Sequence, residues 1–170
     1  MATQLFLLIF AAGTFLFGAT AQSAETGQAA PNCRLAALDG QQSHDLQKYR
    51  GKVVYVDFWA SWCSPCGQSF PFMTQLSREF GNRGLQVVAI NVDEDREEAK
   101  AFLAKHPAGF AVAADESGKC PIDFGVRAMP SSYLIDRQGV IRHVHLGFRP
   151  GEAEKTRALL EQLLAEPARQ

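Results

Sequence analysis

Cys63 and Cys66, two residues apart, are the side chains of this 170-residue sequence whose spacing points most directly to chemistry. Such a pair can be a disulfide staple, half of a metal site or a reactive dithiol. A staple here would close hardly any loop and would restrain little of the unfolded chain. Structural zinc takes four ligands, commonly from two such pairs, and the sequence has one. We therefore predict a reactive dithiol with no structural metal and no cofactor, and leave open transient copper binding by the reduced thiols.

The segments on either side of the pair favour that prediction. Residues 52–60, "KVVYVDFWA", are nearly continuous in β-branched and aromatic residues, which is typical of a strand buried on both faces. From residue 64 to about 80, apolar residues recur at helical spacing. Cys63 would then lie at the first turn of a helix with Ser61 as a cap, where backbone N–H groups and the helix dipole favour a thiolate. Pro65 fixes one backbone angle there and helps to hold the two sulfurs within reach of each other.

The remaining elements complete an α/β domain with a mixed sheet and helices on both faces. Before the dithiol, we predict a hairpin within residues 35–49 that turns at Asp39-Gly40. After helix 64–80, we predict a buried strand over 85–93, an amphipathic helix over 94–106 and a short strand over 110–115. A weak helical turn near 120–124, two strands within 131–147 joined by a turn at 137–139, and a helix over 151–165 complete the chain. The hairpin precedes the main sheet as an N-terminal extension.

Composition excludes some classes of partner. The sequence is 46% hydrophobic, which is enough for a core without disulfides. Its 17 Lys and Arg residues nearly balance 18 Asp and Glu residues, and no basic run stands out. Nucleic acid is therefore not an expected partner.

The first residues of the chain read as an export segment. Residues 1–24 carry no charged side chain, and residues 5–17 form a dense apolar block that is short for a membrane span. The small residues Ala19 and Ala21 flank Thr20 in the pattern of a cleavage site. We predict a signal peptide over 1–21, a linker over 22–30 and one domain over 31–166, in the periplasm or another extracytoplasmic space. An uncleaved membrane anchor stays open, because no Lys or Arg precedes the apolar block.

Cys33 and Cys120 have no CxxC partner of their own. In an oxidising compartment they could bridge each other and close a long loop, worth roughly 4–5 kcal/mol in the chain-entropy model. The alternative is two separate buried thiols that act as small apolar side chains.

The dithiol segment resembles that of a known family. "VVYVDFWASWCSPC" resembles the active-site segment of thioredoxins, and Met129-Pro130 ahead of "SSYLID" resembles their cis-proline loop. The export segment, "NVDED" and "MPSSYLIDRQGVI" are similar to the extracytoplasmic TlpA, ResA and cytochrome c biogenesis thioredoxins, within the redoxin and AhpC/TSA-like proteins. The resemblance implies a thioredoxin fold over about residues 31–165.

The resemblance also implies roles for individual residues. Cys63 would be the attacking thiol and Cys66 the thiol that resolves the mixed disulfide. Trp62 would shield the site, and Met129-Pro130 would lie beside the sulfurs and present backbone to a partner peptide.

Two acidic residues are candidate catalytic groups. Asp57 stands five residues before Trp62 and matches the buried acid of thioredoxins, although many members of the extracytoplasmic subfamily carry Asn there. Burial would raise its pKa and let it accept the proton of Cys66 through water; the alternative is an acid that faces solvent. Glu94 lies where ResA-like proteins carry an acid near the cysteines, but with its acidic neighbours it also fits a solvated, capped helix start.

The function that we predict is an exported thiol–disulfide oxidoreductase that reduces protein disulfides. The resemblance points to the haem-site cysteines of apocytochrome c or to copper-assembly proteins as substrates, and to a membrane electron donor that restores the dithiol. A dithiol oxidase and a copper-binding carrier that uses the same two cysteines are the alternatives. We expect His143 and His145 to be solvated residues of a strand rather than metal ligands.

Overall fold

The computed structural model describes residues 24–38, 43–149 and 151–167, without the side chains of residues 43 and 44. The predicted signal peptide and the predicted turn at Asp39-Gly40 lie outside the described residues. Within these ranges, no helix combines the length and the apolar character needed to cross a membrane.

Seven strands form one mixed sheet. They are β1 (Arg34–Ala37), β2 (Ser43–Asp45), β3 (Val53–Trp59), β4 (Leu85–Asn91), β5 (Ala111–Ala114), β6 (Ser131–Ile135) and β7 (Ile141–Leu146). Their order across the sheet is β2-β1-β5-β4-β3-β6-β7. The neighbours β3, β4 and β5 run parallel, and all other neighbours are antiparallel. The predicted hairpin is therefore the outer part of the main sheet, which it joins where β1 pairs with β5.

Helices cover both faces of the sheet, as predicted. They are α1 (Ser64–Phe80), α2 (Arg96–Lys105), α3 (Lys119–Asp123) and α4 (Glu152–Ala165), with short 3-10 helices over Leu46–Tyr49 and Gly81–Arg83. Side chains from α1, α2 and α4 pack in one core cluster. The first 3-10 helix and α3 contribute Leu46 and Cys120 to the cluster on the other face.

The strand β3 is buried along its whole length and supplies both clusters. Because side chains alternate along a strand, Tyr55, Asp57 and Trp59 share one face. Tyr55 and Trp59 pack with α1, and Trp59 contacts Phe70 with ring centroids 5.2 Å apart. Fully burying a large apolar side chain stabilises a fold by roughly 1.5–3 kcal/mol. The strand that leads into the dithiol is thus fixed from both sides.

The predicted elements are all present, and most of their ends lie within one or two residues of the expected positions. β4 ends at Asn91 rather than at residue 93, because the chain turns away there toward the cap of α2. Helix α1 continues through Pro71.

The chain enters the domain along the edge of β7. The N–H of Gly27 donates to the carbonyl of Ile141, 2.7 Å away, and Ala29 forms a β-bridge with Val140. These pairs cover the start of an edge strand, which otherwise presents unpaired N–H and C=O groups. The domain boundary predicted at residue 31 stays a prediction, although residues 27–30 already pair with the sheet.

Candidate active site

Three chain segments converge at one end of the sheet. Trp59 pairs with Asn91 on the parallel strand β4, and Phe58 pairs with Ser131 at the start of the antiparallel strand β6. The segments after β3, after β4 and before β6 must therefore meet at the same end. They carry the dithiol, the "DED" acids and Met129-Pro130.

The dithiol is oxidised in the structure. Cys63 and Cys66 are joined by a disulfide with an S–S distance of 2.00 Å. Cys63 is the N-cap of α1, and its Sγ accepts a hydrogen bond from the N–H of Cys66 at 3.2 Å. The sequence prediction that this N–H and the helix dipole favour a Cys63 thiolate stays a prediction for the reduced protein. The prediction that Ser61 caps this helix is wrong, since the sulfur of Cys63 occupies that place.

The two sulfurs differ in access, because Cys63 retains 4% exposure and Cys66 retains none. Trp62 lies beside them with 70% of its surface exposed. Pro65 falls in the first helical turn, where a missing N–H leaves no helical hydrogen bond unmade. Of the two cysteines, Cys63 is thus the less deeply buried, and it is the one that lines the groove between α1 and α2.

Asp93 holds the loop that carries the dithiol. The N–H of Ser61 donates to both carboxylate oxygens of Asp93, at 2.9 and 3.1 Å, and the Ser61 hydroxyl donates to Oδ1 at 3.1 Å. The Nδ2 of Asn91 donates to Oδ2 at 2.8 Å. Hydrogen bonds to a charged group are stronger than neutral ones, so this carboxylate fixes the loop firmly.

Glu94 is exposed and does not share in these contacts. Asp95 is the N-cap of α2, where its side chain accepts from the N–H of Glu97 at 2.8 Å. Of the three consecutive acids, the hydrogen bonds of Asp93 reach the dithiol loop and those of Asp95 cap a helix. Sequence reasoning singled out Glu94 and treated Asp93 only as part of the helix start.

The Met129-Pro130 peptide bond is cis. Pro130 is buried, and its carbonyl accepts a hydrogen bond from the N–H of Gly147 at 2.8 Å. Met129 is partly buried and contacts both core clusters. The register of β6 places this pair at the same end of the sheet as the dithiol.

Asp57 is fully buried in β3. Burial raises the pKa of its carboxyl group to about 7, against a lowering effect from the Ser132 hydroxyl, which donates to Oδ1 at 2.6 Å. Its neighbours on the same strand face, Tyr55 and Trp59, pack in one cluster with Cys66. The solvent-facing alternative for Asp57 is thereby excluded.

A groove of about 670 Å³ lies between α1 and α2 beside the dithiol. Its lining includes Trp62, Cys63, Gln68, Glu98, Lys105 and His106. A side chain at Gly67 would place its Cβ 2.9 Å from Cε1 of His106, so the ring fits against α1 because residue 67 is glycine. Sequence reasoning assigned no significance to His106, since nothing local relates it to a helix about forty residues earlier.

The second pair of cysteines forms a disulfide between Cys33 and Cys120, which are separated by 87 residues. Both are buried in the cluster on the face opposite α1, and the N–H of Cys120 donates to Asp115 at 2.7 Å. This bridge ties the segment before β1 to α3.

His143 and His145 differ from the sequence prediction of solvated side chains. Both are partly buried, and Nε2 of His145 lies 2.9 Å from a carboxylate oxygen of Glu152 in α4. Across the residues that the structure describes, no group of three or more His, Cys, Asp or Glu side chains could hold a metal ion.

A CxxC dithiol that opens the helix after a buried central strand, in a mixed sheet covered on both faces, defines the class of protein: a thioredoxin-fold thiol–disulfide oxidoreductase. The chain belongs to the Redoxin family, whose model matches residues 25–163.

Named relatives agree with this class. The thiol-disulfide oxidoreductase ResA of Bacillus thuringiensis subsp. konkukian is 33% identical over 141 residues, covering 82% of this chain and 77% of the relative. The thioredoxin-like protein YneN of Bacillus subtilis is 36% identical over 126 residues, 72% of each chain. A crystal structure assigned to a thiol:disulfide interchange protein DsbE from Chlorobium tepidum superposes with a TM-score of 0.80 at 43% identity, covering 84% of this chain and all of that one.

Proposed function

We propose that this protein is an exported reductant of disulfides in other proteins. One observation carries the proposal: the reachable sulfur of Cys63 caps a helix, while the buried Cys66 shares its core cluster with the strand face that holds Asp57. This arrangement supports Cys63 as the attacking sulfur and Cys66 as the resolving one, and the raised pKa of Asp57 supports that carboxyl group as the base for Cys66.

In the first step, the Cys63 thiolate attacks one sulfur of the substrate disulfide. A bond forms between Cys63 and that sulfur, the substrate S–S bond breaks, and the other substrate sulfur leaves as a thiolate. The N–H of Cys66 and the helix dipole stabilise the Cys63 thiolate before attack. The backbone at Met129-Pro130, at the same end of the sheet, supports the partner chain, and Trp62 limits access of water to the mixed disulfide.

In the second step, Cys66 gives its proton to Asp57 and attacks Cys63. The Cys63–Cys66 bond forms, the bond between Cys63 and the substrate breaks, and the reduced substrate leaves. Two electrons pass to the substrate in the whole cycle. The enzyme is left oxidised, which is the state that the structure contains.

The charge near the sulfurs supports the reducing direction. A negative carboxylate close to a dithiol disfavours the second negative charge of a thiolate, whereas a strong oxidase needs a strongly stabilised thiolate. Asp57 and Asp93 both add negative charge at this end of the sheet. A donor of two electrons must then restore the dithiol, and we place that donor in the membrane that borders the compartment.

Export agrees with two separate features of the chain. The uncharged apolar block at residues 5–17 has the pattern of an export segment. The Cys33–Cys120 disulfide is of a kind that persists in oxidising compartments and is rare in the cytosol.

The substrates that we propose are the haem-site cysteines of apocytochrome c or the cysteines of copper-assembly proteins. The resemblance to the cytochrome c biogenesis thioredoxins supports this choice. The groove beside Cys63 is wide enough for residues that flank a substrate cysteine, with Glu98 on one wall and Lys105 further along the same helix. Glu94 has the weakest support among the catalytic candidates, because it is exposed while Asp93 makes the contacts to the loop.

The first test is the reduction potential of the Cys63–Cys66 pair in the chain that begins at residue 22. The protein is equilibrated with glutathione buffers, and alkylated thiols are counted by mass. A Cys33→Ser/Cys120→Ser variant serves as the control that assigns the transition to the dithiol. We expect a strongly reducing potential, followed by turnover with disulfide-bonded cytochrome c peptides.

Other outcomes contradict the proposal. A potential as oxidising as that of the disulfide-introducing enzymes makes the protein a dithiol oxidase. Stoichiometric Cu(I) binding to the reduced pair, with no turnover of any disulfide, makes it a copper carrier.

A further inference from the structure

A line of three buried polar side chains runs from the strand interior to Asp57. The hydroxyl of Tyr55 donates to Oγ of Ser132 at 2.8 Å, and Oγ of Ser132 donates to Oδ1 of Asp57 at 2.6 Å. Tyr55, Asp57 and Ser132 are all at most 5% exposed. Hydrogen bonds between buried groups are stronger than those exposed to water, so they hold these three side chains in fixed positions.

The direction of the hydrogen bonds in this line is fixed. A serine hydroxyl has one proton, so Ser132 cannot donate to both neighbours. Burial, followed by the nearby charge of Asp57, raises the pKa of Tyr55 well above its ordinary value, so the phenol keeps its proton. Tyr55 therefore donates to Ser132, and Ser132 is left to donate to Asp57.

The second oxygen of the Asp57 carboxyl group, Oδ2, differs from Oδ1 in its hydrogen bonding. Among the described residues, Oδ2 of Asp57 is buried without a hydrogen-bond partner, while Oδ1 is occupied by the Ser132 hydroxyl. A proton that arrives at Asp57 meets a free acceptor at Oδ2 and a filled one at Oδ1. Protonation at Oδ2 also neutralises the buried carboxylate without displacing the hydrogen bond from Ser132 to Oδ1.

We propose that Ser132 and Tyr55 are positioning residues of the resolving step, which hold Oδ1 as a permanent acceptor and leave Oδ2 as the oxygen that receives the Cys66 proton. This inference rests on the proposed role of Asp57 as the base for Cys66. Ser132 also stabilises the ionised carboxylate, so it keeps Asp57 able to accept a proton at the pH where Cys66 must lose one.

Among the described residues, few titratable groups besides Tyr55 lie near Asp57. Helix α1 brings Cys66 into the cluster that holds Tyr55 and Trp59, the neighbours of Asp57 on its strand face, while β4 presents Ala89 in register with Asp57. On β7, His145 lies in register with Ser132, but its ring is engaged with Glu152 of α4. The pH response of the resolving step is therefore expected to follow Asp57 and Cys66.

The test compares Ser132→Ala with Ser132→Thr and Tyr55→Phe in the full domain, with the Cys33–Cys120 disulfide intact. The pKa of the Asp57 carboxyl is read by carbon NMR in the oxidised protein. The pH midpoint of the resolving step is read from single-turnover release of a thiol from the mixed disulfide at Cys63. Circular dichroism checks that each variant folds.

We expect Ser132→Ala to raise both the carboxyl pKa and the pH midpoint by about one unit, because a hydrogen bond to the charged form is lost. Ser132→Thr keeps the hydroxyl and should restore the wild-type midpoint, and Tyr55→Phe should give a smaller shift in the same direction. In the Asp57→Asn background, Ser132→Ala should produce no further shift.

Two results overturn the inference. A Ser132→Ala protein that unfolds more easily but keeps the wild-type carboxyl pKa and pH midpoint has lost only a structural contact. A shift of the carboxyl pKa that leaves the midpoint unchanged shows that Asp57 is not the base, and the proposed role of Asp57 then fails while the hydrogen-bonded line stands.

Discussion

At the scale of single residues, Asp57 makes the free energy of unfolding depend on pH. Its carboxyl group is fully buried, and burial raises its pKa from 3.8 to about 7. The native protein therefore holds a proton that the unfolded chain has already released between these two values. Stability contributed by this group is complete below about pH 3.8 and is lost as the pH rises through about 7.

Asp57→Asn should remove this pH dependence. Each unit of pKa corresponds to about 1.4 kcal/mol, so the wild-type protein should lose on the order of 4 kcal/mol relative to the variant between pH 4 and pH 8. Urea unfolding of the oxidised proteins across that range, followed by circular dichroism, measures the difference. A constant difference at all pH values would show that Asp57 ionises normally in the native protein.

Asp93 and Glu94 are adjacent acids, and we expect substitution of Asp93 to matter far more than substitution of Glu94. Asp93→Ala removes the acceptor for the Ser61 N–H and hydroxyl, and should lower the free energy of unfolding by roughly 1–3 kcal/mol. The rate of turnover should also fall, because the loop that carries the dithiol loses these contacts. Glu94→Ala is the matched control, and should change stability by less than about 0.5 kcal/mol because the side chain is exposed. Loss of turnover in Glu94→Ala at unchanged stability would instead make Glu94 a catalytic residue, as the sequence suggested.

At the scale of elements, residues close in sequence were predicted well, whereas hydrogen bonds between distant polar side chains were not. The continuous apolar run of β3 and the helical spacing of α1 placed the dithiol at a strand-to-helix junction. Ser132 and Asp57 lie 75 residues apart, so no local pattern could relate them. The same holds for the contact between Ser61 and Asp93. The sequence thus predicted where the dithiol lies better than it predicted which side chains hold its loop.

Helix α2 forms one wall of the groove, and two of its alanines allow a matched comparison. Ala101 lines the groove, whereas Ala104 is exposed on the same helix and does not line it. Ala101→Phe should raise the KM for a disulfide-bonded protein substrate about three- to tenfold by filling the groove, and Ala104→Phe should not. Turnover of a small disulfide should be unaffected in both. Equal KM values for the two variants would show that substrates bind elsewhere.

At the scale of the whole molecule, the two disulfides serve different purposes. The Cys33–Cys120 bridge spans 87 residues, whereas the Cys63–Cys66 bridge spans three. In the chain-entropy model, a long loop restrains the unfolded state much more than a short one. The long bridge therefore stabilises the fold, and the short one stores the redox state.

The double variant Cys33→Ser/Cys120→Ser should lose roughly 4–5 kcal/mol of unfolding free energy and keep the reduction potential of the dithiol. Cys63→Ser/Cys66→Ser, the matched control, should lose about 2 kcal/mol and all turnover. Urea unfolding and the turnover assay distinguish the two. A changed dithiol potential in the first variant would indicate that the buried bridge also acts on the active site.

The pairing of residues 27–30 with the start of β7 determines where a tag or tether on the N-terminal side lies relative to the dithiol. Gly27 bonds to Ile141 at the start of β7, and Ala29 forms a bridge with Val140 just before that strand. Ile141 lies in register with Ile135, which pairs with Val54 at one end of the sheet. The dithiol lies at the other end, beyond Trp59. A group attached directly before residue 24, such as a membrane tether or a purification tag, should therefore join the domain near the pole remote from the sulfurs. An N-terminal tag should leave Cys63 open to a large protein partner, so the reactive pole can be assayed without removing it.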